Sequence, residues 1–322
     1  MSDIDYAYAV ARIRSLETSL FSSVTIEQLM ACDAYENCLS LLREKGWGDN
    51  TTLDAEHILA RERDKIWEVM EELHVDMHVF DVLSYPALFH NLKAAIKQAC
   101  TKDEFDSIFY QDTHPGKDEL LMVIQKKKYE DLPEFMREAA QEAYEAMVHS
   151  RDGQLCDVIV DVAALKAIYD AGKASGSDII CRYAESMVAV ANIKTALRCA
   201  ATGKSKSFMK RAMQPCDSLE IKRLATSADK GMEGICEYLL NTEYAEGVPV
   251  LRESPSAFEC WCDNRMIHTI SGQRYQPFTV GPLFAYVVAR ENEIKTVRIL
   301  LSGKRNDLPE PAIRERVREM YV

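Results

Sequence analysis

The chain has 322 residues, 47% apolar and 28% charged: enough apolar side chain for packed cores and too much for a disordered polymer. Acidic residues (51) outnumber basic ones (39), for a formal charge of −12. That excludes a general grip on nucleic acid phosphates or anionic lipid heads and leaves room only for a local basic patch. With 13 glycines and 10 prolines the chain has few breakers, so long helices are expected rather than a turn-rich β fold.

The opening residues Met1, Ser2, Asp3, Ile4 and Asp5 lack the basic flank and apolar stretch of a secretory leader. The best apolar runs, near 187–191 and 283–289, fall far short of the roughly 20 residues a membrane span needs. A soluble or peripheral chain is expected. The 10 cysteines are scattered among helical patterns and read as small reduced fillers. Cys260 and Cys262 flank Trp261, and His268 follows, but no fourth ligand completes a zinc set.

In chain order, Thr25 to Gln28 and Asp33 to Glu36 both have the spacing of capping boxes. The second opens a helix carrying Cys38, Leu39, Leu41 and Leu42, which Lys45 and Gly46 should stop. Periodicity predicts an amphipathic helix over 57–73, and a further helix is expected over 87–99, after Pro86. A loop at 112–116 precedes helices over 118–124, 132–148, 157–169 and 177–199. After a loop at 202–205 come 217–225 and 229–241, a loop at 246–255, and final helices over 282–302 and 311–321. No alternating strand pattern occurs.

Self-similarity carries more information than any one element. Asn91-Leu92-Lys93 recurs as Asn192-Ile193-Lys194 and, more loosely, as Glu293-Ile294-Lys295, each copy 101 positions after the last. A short-helix, turn, helix pattern recurs near 25–45, 118–144 and 217–244, each copy ending close to an aromatic residue (Trp47, Tyr144, Tyr244). These spacings predict an all-α chain of three similar helical domains, 1–116, 117–216 and 217–322, around a pseudo-threefold axis. Asn91, Lys93, Asn192, Lys194, Glu293 and Lys295 are its signature positions. Packing is the expected role: the aliphatic residue faces the core, the lysine snorkels, and Asn91 and Asn192 close hydrogen bonds inside the bundles.

Candidate chemistry is thin. His74 and His78 are four apart, a metal-compatible helical spacing, but Val75 stands where a metalloprotease places its glutamate. Gly203-Lys204-Ser205 ends like a phosphate loop, yet Arg198 occupies the position that needs the first glycine. No serine or cysteine sits in a nucleophile elbow. Glu68, Glu71 and Glu72, and the run Lys126-Lys127-Lys128, read as solvated helix faces. No cofactor, metal or catalytic residue is expected.

The stretch from Tyr6 to Leu20, Asn192-Ile193-Lys194 with Arg198, and above all the C-terminal region resemble the C subunit of bacterial and archaeal V/A-type rotary ATPases. The C-terminal match comprises Pro282-Leu283, 291–299, Gly303-Lys304-Arg305-Asn306-Asp307-Leu308-Pro309, Ile313-Arg314-Glu315-Arg316 and Tyr321-Val322. This is the family that includes the d subunit of the eukaryotic vacuolar enzyme. The resemblance runs end to end. It departs at Glu293, where the other copies have asparagine, and is weak over 145–160 and 246–265.

It implies a funnel of three helical domains and a non-catalytic rotor part. Such a part sits peripherally on the cytoplasmic face of the membrane, bound to the proteolipid ring and to central-stalk subunits, with no nucleic acid and no direct nucleotide binding. Coupling of ion transport to ATP hydrolysis or synthesis follows. The rival readings are an unrelated helical scaffold and a metal-dependent hydrolase built on His74 and His78.

Overall fold

The computed structural model describes residues 3–49, 54–101, 108–110 and 113–322. Met1 and Ser2 of the opening stretch, and Asp112 of the expected loop, lie outside them. Among the described residues every regular element is helical. The chain divides into two compact units, one built from both ends (Met1–Met77 and Glu246–Val322) and one from the middle (His78–Ala245).

The N-terminal part of the first unit holds α1 (Asp3–Glu17), α2 (Ser23–Met30), α3 (Tyr35–Glu44) and α4 (Ala55–Glu72). Neither predicted capping box closes a helix. The α2 helix begins at Ser23, and Ala34 caps α3, with no side-chain bond in either case. Gly46 does end the α3 segment, in a left-handed conformation (φ 83°) that carries no steric cost without a Cβ. Asp54 caps α4, its carboxylate accepting from His57 N at 3.0 Å.

The central unit contains α5 (Asp81–Thr101), α6 (Lys117–Lys126), α7 (Glu134–Ser150), α8 (Gly153–Ala174), α9 (Asp178–Ala201), α10 (Lys206–Arg211), α11 (Ile221–Ala228) and α12 (Gly231–Leu239). The α5 helix runs through Pro86 instead of starting after it. As the sixth residue of α5, Pro86 leaves the carbonyl of Val82 without its helical N–H partner, a loss of one bond. Phe89, Leu92 and Ile96 of α5 pack with Leu120 and Ile124 of α6, Met136 and Ala140 of α7, and Cys156 and Val160 of α8. The α9 helix packs on α8, α11 and α12.

The C-terminal part of the first unit holds α13 (Val248–Glu253), within the span expected as loop, then α14 (Pro255–Ser271), α15 (Gly281–Arg305) and α16 (Glu310–Arg314). Gly281 to Ala289 are buried without interruption, so α15 is apolar all round there, as a helix enclosed by others must be. It packs on α2, α3 and α4, completing a bundle begun at the other end of the chain. The expected final helix is only α16. Beyond it, side chains of α14 and α15 claim the main chain: Val317 O accepts from Cys260, Glu319 N donates to Asn264, and Glu319 O accepts from Asn292. Main-chain groups held this way are withdrawn from helical bonding.

Two shorter helices followed by two longer ones occur three times in chain order: α2 to α5, α6 to α9, and α11, α12, α14 and α15. In each case the last long helix packs on the shorter pair of another set: α5 on α6 and α7, α9 on α11 and α12, α15 on α2 and α3.

Candidate functional site

The signature asparagines sit in the middle of long helices, where an amide is worth burying only if it finds partners. Asn91 and Asn192 are fully buried. Asn91 Nδ2 donates to Tyr110 O and Thr113 Oγ1, both at 2.8 Å, and its Oδ1 accepts from Tyr110 N at 2.9 Å. Asn192 treats Gln214 the same way, donating to its carbonyl at 2.7 Å and accepting from its N–H at 3.0 Å. Each amide thus fastens the main chain that leaves its helix.

In the third long helix this contact belongs to Asn292, whose Nδ2 donates to Glu319 O at 2.9 Å. Its neighbour Glu293 has a different task. Buried on α15, Glu293 accepts from Phe21 N and from Arg290 Nη1. Arg290 Nη2 also donates to Glu62 Oε2 at 2.5 Å. Glu62, buried on α4, accepts at its other oxygen from Gly48 N at 2.8 Å and Lys65 Nζ at 2.6 Å. The Arg290 guanidinium lies 5.3 Å from the Trp47 ring, which stacks on Phe21. Two carboxylates and one guanidinium therefore hold the start of α2, the exit of α3, α4 and α15 together. Burial pushes the Glu293 carboxyl up to about 7, against the opposing pull of Arg290 and of Phe21 N–H.

The signature lysines lie at the rims of these bundles. Lys93 pairs with Asp161 of α8, and Lys295 with Asp263 of α14, each at 2.5 Å. Lys194 is half-buried on α9.

The other candidates separate. His74 adopts a left-handed backbone (φ 50°) just past α4, and His78 lies in the following 3-10 turn beside Asp81, so the pair shares no helix face. The cysteines are free thiols. Burial pushes Cys38 up to about 12 and Cys156 and Cys216 to about 11, which keeps them protonated and poorly nucleophilic at neutral pH. Among the described residues no group of three or more His, Cys, Asp or Glu side chains is arranged to hold a metal ion. Sequence reasoning missed Glu62, Arg290 and Asn292. A signal for the first contact was present: Arg290 and Glu293, three apart, directly follow an apolar run, where charges must pair to be tolerated.

What the geometry builds is a set of internal fasteners in a helical body. The profile of the ATP synthase (C/AC39) subunit family matches residues 9–316. The chain belongs to this family. It is similar to the C subunit of the V-type sodium ATPase of Enterococcus hirae, at 25% identity over 96% of this chain and 97% of the relative. It is also similar to the C subunit of the A-type ATP synthase of Methanocaldococcus jannaschii, at 24% identity over 96% of this chain and 85% of the relative. Membership of the C/AC39 family makes the chain a non-catalytic part of a V/A-type ATPase. No described helix is long and apolar enough to cross a membrane.

Proposed function

We propose that this protein couples the central stalk of the ATPase to its membrane proteolipid ring, transmitting torque for ion transport or ATP synthesis. The observation that carries the reading is the family match along almost the whole chain. The physical case is stiffness. A torque coupler must pass twist on without absorbing it, and close-packed helices with few glycines resist deformation. The buried amides of Asn91 and Asn192 and the Glu62–Arg290–Glu293 cluster add directional bonds to that packing.

In this reading the chain comprises three related helical units, 1–116, 117–216 and 217–322, arranged as a funnel with a pseudo-threefold axis. The threefold return of shorter and longer helix pairs supports it. The signature positions Asn91, Lys93, Asn192, Lys194, Glu293 and Lys295 serve packing in each unit. The stalk foot enters the central cavity, the ring binds the opposite face, and the protein sits at the cytoplasmic face of the membrane.

Affinity purification of the tagged chain from its native host in mild detergent tests the function. Stalk and proteolipid subunits are expected in the eluate. Their absence, under conditions that keep the ATPase whole, overturns the proposal.

A further inference from the structure

From Ser186 to Cys216 the sequence contains no aspartate or glutamate, and it carries Lys194, Arg198, Lys204, Lys206, Lys210 and Arg211. In a chain with a formal charge of −12 this is a marked local reversal. The structure gathers much of it at one corner, where α9 ends and α10 turns back against it. Lys204 is occupied, donating to Gln154 Oε1 at 2.7 Å and lying over the Phe208 ring. Arg198, Lys210 and Arg211 are exposed and Lys206 is half-buried.

Four carboxylates that flank the basic stretch in the sequence have partners of their own. Glu185 accepts from Asp217 N, Ser218 N and Ser218 Oγ. Asp217 accepts from Lys173 Nζ and Tyr169 OH. Glu220 faces Arg223, and Asp178 pairs with Arg182. Arg198, Lys210 and Arg211 thus present their charges at the exposed surface of this corner.

We infer that the α9–α10 corner is a contact surface for anionic phospholipid headgroups. Two observations favour a bilayer over a protein partner. Protein interfaces need an apolar core, yet among the described residues no exposed large apolar side chain lies between Val148 and Met232. The cations are also long, flexible side chains on a six-residue helix and its flanks, suited to a diffuse charged plane. In a chain with a formal charge of −12, this corner would also set which side faces an anionic membrane. The inference rests on the reading that the chain works at a membrane surface.

The test is sedimentation of the full chain with vesicles of phosphatidylcholine alone or mixed with phosphatidylglycerol, alongside co-purification of ATPase components. Each basic residue near an anionic surface contributes roughly a fivefold factor, so the three of α10 give about a hundredfold. Wild type is expected to bind the mixed vesicles in a salt-sensitive manner and to ignore phosphatidylcholine. Charge reversal (Lys206→Glu, Lys210→Glu, Arg211→Glu) should abolish binding. The glutamine triple, a gentler change should the first unfold, should weaken it about a hundredfold. Equal binding to both vesicle types, or unchanged binding by a folded triple variant, overturns the inference. So does a variant that keeps vesicle binding but loses stalk subunits, since the patch then belongs to a protein partner. If wild type captures no ATPase subunits yet shows the expected vesicle behaviour, the rotary reading fails and this inference stands.

Discussion

Arg290 of α15 donates to Glu62 of α4 across 2.5 Å, joining residues 228 positions apart in a site where both side chains are buried. The guanidinium also serves Glu293, so a single cation balances two carboxylates, helped by Lys65 at the rim. Removing it leaves two buried carboxyl groups without their cation. We expect Arg290→Met to cost about 3–5 kcal/mol of stability in urea unfolding, because a broken buried network retains its desolvation cost without its attraction. Replacing Glu62, Arg290 and Glu293 together with methionine should cost less than Arg290→Met alone. A triple variant less stable than the single one would contradict this account.

The same cluster predicts a pH dependence. Burial holds the folded Glu293 carboxyl at about 7, above the ordinary 4.5. The groups that face it are Arg290, Glu62 and Tyr286, with Phe21 N–H. An acid whose folded value is raised binds its proton more tightly in the native state. Its stabilising contribution is complete below 4.5 and lost as pH rises through about 7. Glu293→Gln removes that titration. Urea midpoints of wild type relative to Glu293→Gln should therefore fall between about pH 5 and about pH 8. An unchanged difference would remove Glu293 as the titrating group.

The amide fasteners should rank by their bonds. Asn192→Ala leaves Gln214 N–H and C=O without their partner, and Asn91→Ala does the same to Tyr110. Each should cost about 1–3 kcal/mol, with a cavity term added. Asn292 makes one such bond, because Asn264 takes Glu319 N–H, so Asn292→Ala should cost less than either. Thermal unfolding of the three variants checks the order.

Helix spacing gives a fourth expectation. A methyl group on Gly172 of α8 would lie 2.3 Å from Ala184 Cβ on α9, closer than real carbon atoms pack. Gly172→Ala should destabilise by about 1–3 kcal/mol. Gly153, in the first turn of α8, has nothing within 4 Å of such a methyl. Gly153→Ala should be neutral or stabilising by up to about 1 kcal/mol. Similar effects at both positions would show that contact distance does not decide the outcome.

Local signals were legible and distant ones were not. Gly46, the loop at 202–205 and the amphipathic stripe of α4 follow from turn chemistry and periodicity, which act within a few residues. Asn91 and Asn192 stood out because they share a motif. Asn292 did not, because its place in the third helix is one residue earlier than the lysine spacing implies. Glu62 and Arg290 meet only through tertiary packing, and no short window contains both. The tail after α16 was misread for the same reason, since its main chain is held by α14 and α15.

Because α15 closes the bundle that α2, α3 and α4 begin, order of synthesis matters to this molecule. The central unit is one continuous stretch and has its whole core once Ala245 has left the ribosome. The N-terminal helices, though made first, must wait for Gly281–Arg305, which packs on α2, α3 and α4. A polypeptide released before that point carries bare apolar surface, which chaperones and proteases bind readily. The last long helix thus decides whether the first ones can hide their apolar faces.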